Sequence, residues 1–80
     1  MTTWNYRTMR RVGGTGTTHY FTFAIHEVYY DDLGLVETWT EAPDGPMGDT
    51  LAELRADHRM MAEAFELPVL DYETGKEVEE

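Results

Sequence analysis

The segment from Thr18 to Tyr30, THYFTFAIHEVYY, limits the fold more than any other part of the chain. It is rich in aromatic and β-branched residues, contains neither Gly nor Pro, and alternates in the manner of a half-buried strand. Phe21, Phe23 and Ile25 fall on one face; Tyr20, Thr22, Ala24 and His26 fall on the other. Val28 breaks the pattern, because it lies on the wrong face for Phe21 and Phe23. A β-bulge near His26-Glu27 would restore it.

The flanking sequence supplies partners for this strand. Trp4 to Val12 alternates loosely and reads as a strand, and Gly13-Gly14-Thr15-Gly16-Thr17 reads as a hairpin loop. Asp31-Asp32-Leu33-Gly34 is a turn, and Leu35 to Glu41 is a third strand. Together they predict an antiparallel meander. After a Pro- and Gly-containing loop over Ala42 to Asp49, Thr50-Leu51-Ala52-Glu53 has the form of a capping box. Leu51, Leu54, His58, Met61 and Phe65 then recur at steps of three and four, an apolar helical stripe, with Glu53, Asp57, Glu63 and Glu66 as its solvated side. Pro68 ends the helix near Leu67, and Val69 to Tyr72 is a candidate short fourth strand.

The expected fold is therefore α+β, an antiparallel three- or four-stranded sheet with one long helix packed on one face. Residues 1–72 form the single domain, and 73–80 an acidic, flexible tail. The expected core is Phe21, Phe23, Ile25, Val36, Leu51, Leu54, Met61 and Phe65.

Composition narrows what such a domain can do. With 80 residues the chain buries only about 60–65% of its unfolded surface, a marginal amount. It has no cysteine, which removes disulfides, thiolate zinc sites and iron–sulfur clusters and leaves oligomerisation as the open route to extra stability. No apolar run approaches the length of a membrane span, and the N-terminus lacks the apolar stretch of a signal peptide, so the expected location is cytoplasmic, away from membranes. The net charge of −10 is unevenly placed. Residues 1–26 carry Arg7, Arg10 and Arg11 and no acid; the rest carries all 16 acids against Arg55, Arg59 and Lys76. Such a chain is repelled by phosphate backbones, so no direct nucleic-acid binding is expected unless the arginine strand forms a patch. A protein partner that is basic, or that itself binds nucleic acid, is favoured.

Few residues point to catalysis. Serine and cysteine are both absent, which leaves Thr or Lys as the only conventional nucleophiles. The glycines at 13, 14 and 16 lack the GKS or GKT ending of a phosphate loop and precede no helix. Asp31 and Asp32 suit a turn and lack EF-hand spacing. His19, His26 and His58 show no metal-binding spacing; His26 and His58 are expected as core or interface histidines, with a pH-sensitive contact as the alternative. No cofactor or metal is expected. The stronger signal is aromatic. One helix covers one face of the sheet and leaves Tyr20, Tyr30 and Trp39 on the other, and such residues are enriched at protein interfaces. The candidate interaction residues are Tyr20, His26, Tyr30, Trp39 and His58, and a homodimer through the uncovered face is expected.

The order strand, loop, strand, turn, strand, loop, helix resembles the HicB-like antitoxin domain, with Gly48, Thr50 and Glu53 at its G-x-[ST]-x-x-E segment. The likeness spans roughly Trp4 to Leu70. The loop after the third strand is longer here, and the family's frequent C-terminal DNA-binding segment is missing. IHEVYYDDLG, GDTLAELRADHRMMAEA and PVLDY also resemble small stand-alone bacterial proteins of uncharacterised function. The first resemblance implies a small regulatory module that acts by binding another protein. The residues themselves leave two alternatives: a nucleic-acid-mimicking inhibitor, in which acids stand in for phosphates, and a ligand binder or enzyme built around His26 and His58.

Overall fold

The computed structural model describes residues 3–14 and 16–79. Met1, Thr2, Glu80 and, within the expected hairpin loop, Thr15 lie outside the described residues. Strand β1 (Thr3–Gly13) and strand β2 (Tyr20–Tyr30) form a long hairpin. Strand β3 (Val36–Trp39) follows, then helix α1 (Leu51–Ala62), a single 3-10 turn (Glu63–Glu66) and strand β4 (Leu70–Asp71). The sheet order is β3-β2-β1-β4.

The fold is α+β, as expected, but the sheet is mixed rather than antiparallel. β1, β2 and β3 form the antiparallel meander, whereas β4 runs parallel to β1, with Met9 opposite Leu70 and Arg10 opposite Asp71. The helix causes this. A chain that leaves β3 and returns along one helical crossover re-enters the sheet in its original direction. The helix is also shorter than expected: α1 stops at Ala62 and only the 3-10 turn continues it.

The register of β1 on β2 is unbroken from Thr3 opposite Tyr30 to Gly13 opposite Tyr20. The bulge anticipated at His26-Glu27 does not exist; the irregularity lies on the other edge, between Tyr29 and Tyr30 where β3 pairs. The break in the apolar alternation has a different cause, since the two ends of β2 bury opposite faces. Toward the middle of the strand, Ile25 joins Tyr6, Met61 and Ala64 under the helix. At its far end, Val28 turns the other way and packs with Met9 and Leu70.

That second face was expected to lie open. Instead it holds the larger core, in which Tyr30, Val36, Trp39 and Tyr72 surround Met9, Val28 and Leu70. The cover comes from the C-terminal segment, expected as a solvated tail. Asp71 N–H donates to the Lys76 carbonyl (2.8 Å), Gly75 N–H to the Asp71 carbonyl (2.7 Å) and Val78 N–H to the Val69 carbonyl (2.9 Å). The turn so formed places the buried Gly75 against Trp39 and Val36 of β3, at the opposite edge of the sheet. Arg7, itself buried, holds the approach to β4: its guanidinium donates to the Pro68 carbonyl (2.7 Å) and the Tyr30 hydroxyl (2.9 Å), and Tyr30 donates onward to Asn5 (2.7 Å).

Candidate protein-interaction surface

Helix α1 begins where the capping box puts it. Thr50 Oγ1 accepts a hydrogen bond from Glu53 N–H (3.1 Å), while Glu53 reaches back to the N–H of Asp49 (3.3 Å) rather than of Thr50. Of the apolar stripe, however, Met61 alone is buried. The residues turned to the sheet are Asp57, Met61 and Ala64, at steps of four and three. Asp57, read from the sequence as solvated, accepts from the Tyr6 hydroxyl (2.9 Å) and from Met47 N–H (2.9 Å), so it joins sheet, helix and preceding loop. Burial first, then this hydrogen bond and the charge of Asp57, push the Tyr6 pKa up to about 12.

At about 100° per residue, this leaves Leu51, Leu54, His58 and Phe65 rotated by roughly a quarter turn from the sheet. Leu51 is 61% exposed and Phe65 72% exposed, and His58 is exposed between them. Five of the eight residues expected in the core are therefore at the surface: these two, Leu54, and also Phe21 and Phe23, at 54% and 48% exposure. The helix and its 3-10 turn cover the sheet around Tyr6 and Ile25 and stop short of the hairpin's far end.

The rotated stripe borders two clefts. One, of about 400 Å³, has Ile25 and Met61 in its wall with Pro43, Asp44, His58 and Phe65. The other, of about 480 Å³, is bounded by Pro46, Leu54, Arg55, His58 and Arg59. Pro46 and His58 line both, so the two clefts adjoin along α1 and are taken together as its groove, with Asp44, Arg55 and Arg59 as the charges.

The five residues singled out from sequence are not brought together. Tyr20 is exposed on β2 near the hairpin loop. Tyr30 and Trp39 are half-buried members of the core beneath the C-terminal turn, so the patch expected from Tyr20, Tyr30 and Trp39 is divided. His26 is buried beside them; its Nδ1 lies 3.0 Å from the Thr40 carbonyl, which can only accept, so Nδ1 carries the proton. Its ring stands 5.5 Å from that of Tyr72. His58 belongs to the helix on the other side of the sheet. A site shared by His26 and His58 is not formed.

The arginines of β1 are also divided. Arg10 shares the helix-side face with Tyr6; it lies 3.8 Å from Asp71 and 4.1 Å above the Phe21 ring. Arg7 and Arg11 point to the opposite face, with Arg11 4.1 Å above the Tyr72 ring. Alternation thus prevents the three from making one basic patch. Among the described residues, no group of three or more His, Asp or Glu is placed to hold a metal, and no helix is long and apolar enough to cross a membrane. No family model, curated protein or solved structure matches the chain.

Sequence reasoning missed Tyr6, Asp57 and Tyr72. An exposed-looking carboxylate one position from the stripe carries no sign of its hydrogen bond. The Leu-Asp-Tyr run gave a strand but not the turn that follows it.

Proposed function

We propose that the protein is a small acidic interaction module, antitoxin-like in acting by binding another protein, and that the groove along α1 is its contact surface. The observation that carries this reading is the exposure of Leu51, Leu54, His58 and Phe65, four of the five members of the apolar stripe that an amphipathic helix ordinarily buries against its own domain; the fifth, Met61, is buried. Exposed apolar clefts framed by polar groups are where partner side chains insert. A net charge of −10 steers a basic partner to the protein at long range; at the groove itself Asp44 meets a cation, Arg55 and Arg59 meet an acid, and the apolar walls supply the short-range contact.

The test is selection of a displayed random-peptide library on the immobilised protein, with a Leu54→Ser/Phe65→Ser variant as counter-selection. Both positions are exposed, so the variant keeps its fold. The expected result is enrichment of peptides that combine Lys or Arg with Leu or Phe at helical spacing, lost on the variant. Enrichment that survives the two substitutions, or none at all, overturns the reading.

A further inference from the structure

We infer that the outer edge of β2, from Tyr20 to Ala24, is a self-pairing strand that joins two copies of this chain into one continuous sheet. β3 covers β2 only over Val28–Tyr30, and the following segment extends the cover through Thr40 N–H to the Glu27 carbonyl (3.1 Å) and Asp44 N–H to the Ile25 carbonyl (2.9 Å). Pro43 and Pro46 lie in the loop where that cover ends. From Tyr20 to Ala24 no strand of the described chain lies on the outer side. These two bonds also set the phase. Ile25 and Glu27 direct their carbonyls outward, so by alternation Phe21 and Phe23 direct N–H and C=O outward as well.

An open edge of this kind templates another strand, and proteins ordinarily blunt it with charge, proline or a bulge. Here Tyr20-Phe21-Thr22-Phe23-Ala24 has none of the three. The second copy is favoured over a different strand because the segment is its own complement. In an antiparallel pairing about a two-fold axis at Thr22, Phe21 of each copy faces Phe23 of the other. All outward groups of Phe21 and Phe23 are then satisfied by about four inter-chain hydrogen bonds. The four phenylalanine rings meet on the helix-side face, where each is now half exposed. A register shifted toward Ile25 runs a copy into the Asp44 segment.

Charge permits the contact. Every acid of the chain lies after His26, so none lies on the paired segments. Arg10, the nearest cation on that face, is set back one strand and offset by Asp71. The exposed parts of Phe21 and Phe23 amount to on the order of 200 Å² per copy, so the contact is small and the dimer weak and reversible, held by the strand hydrogen bonds together with the aromatic cluster.

The chain has no cysteine, so a single engineered one reports the geometry. At the axis, Thr22 faces Thr22 of the other copy as a non-hydrogen-bonded pair, whose Cα separation of about 4.5 Å accepts a disulfide. Under mild oxidation, Thr22→Cys is expected to form a covalent dimer roughly ten-fold or more faster than Glu37→Cys, an exposed control on β3. Sedimentation equilibrium should show the unmodified protein moving from one chain to two across the micromolar range. Phe23→Glu, which places its carboxylate opposite Arg10 within the monomer, should keep the fold and remain a single chain. Equal cross-linking of the two cysteine variants, or one-chain mass throughout, overturns the proposal. So does a dimer unaffected by Phe23→Glu. None of these outcomes bears on the α1 groove.

Discussion

Replacing Gly75 by Ala tests whether the C-terminal turn is part of the fold. Gly75 has φ +73° and lies in the left-handed region, where a side chain costs about 1–2 kcal/mol. A Cβ placed there would stand 2.5 Å and 2.9 Å from Trp39 Cζ3 and Cη2 and 3.2 Å from Val36 Cγ1. Both neighbours are half-buried core residues and cannot swing clear, so overpacking adds about 1–3 kcal/mol. The sum, about 2–5 kcal/mol, is a large share of the roughly 4–12 kcal/mol expected for a domain this size. Urea unfolding followed by tryptophan fluorescence reads it directly, because Trp39 is at the contact. With a slope of about 1 kcal/mol per molar, the midpoint should fall by about 2 M or more. Two controls separate the components. Gly34→Ala also sits at positive φ (+80°) but meets no atom within 4 Å, so it should show only the conformational part. Gly45→Ala meets nothing and needs no unusual backbone, so it should be neutral or slightly stabilising. If Gly75→Ala costs no more than Gly34→Ala, the turn does not dock on Trp39 and the account of the second core fails.

Other substitutions probe the remaining contacts. Thr50→Ala removes the N-cap acceptor of Glu53 N–H and should cost about 1 kcal/mol in a denaturant melt; an unchanged midpoint would mean that the helix starts elsewhere. The folded pKa of Tyr6, raised to about 12 from 10.0, makes its contribution to stability complete below about pH 10 and lost as pH climbs from there toward 12. Tyr6→Phe should therefore flatten the alkaline decline in stability; it leaves Tyr29, whose pKa is raised by its hydrogen bond to Glu27, still titrating, and an identical alkaline profile would contradict the Tyr6–Asp57 bond. Binding of a basic peptide at the α1 groove should weaken steeply as salt is raised, measured by titration at low and high ionic strength, and an affinity independent of salt would show that charge has no part in it.

Local rules, which act over a few residues, were legible in the sequence. The meander, the turn at Asp31–Gly34, the capping box at Thr50 and the single helix all follow from alternation, turn chemistry and caps, whose causes lie within one element. The face each element presents to the others does not. The stripe Leu51-Leu54-His58-Met61-Phe65 has the period of a buried face, yet Met61 alone of the five is buried. The helix instead turns Met61, Ala64 and Asp57 to the sheet, about a quarter turn away, where Met61 and Ala64 pack on Tyr6 and Ile25 and Asp57 takes a hydrogen bond from Tyr6, 51 residues distant. Val28 looked like a defect of register because its core is built by Met9, Leu70 and Trp39, which no local window contains. The acidic C-terminal residues have the composition of a tail, and only the curl of the sheet, by placing Trp39 across from Gly75, makes them a cover. Period and composition thus determined which elements form, and long-range contacts decided which of their surfaces stay bare, because burial depends on what the rest of the chain brings alongside.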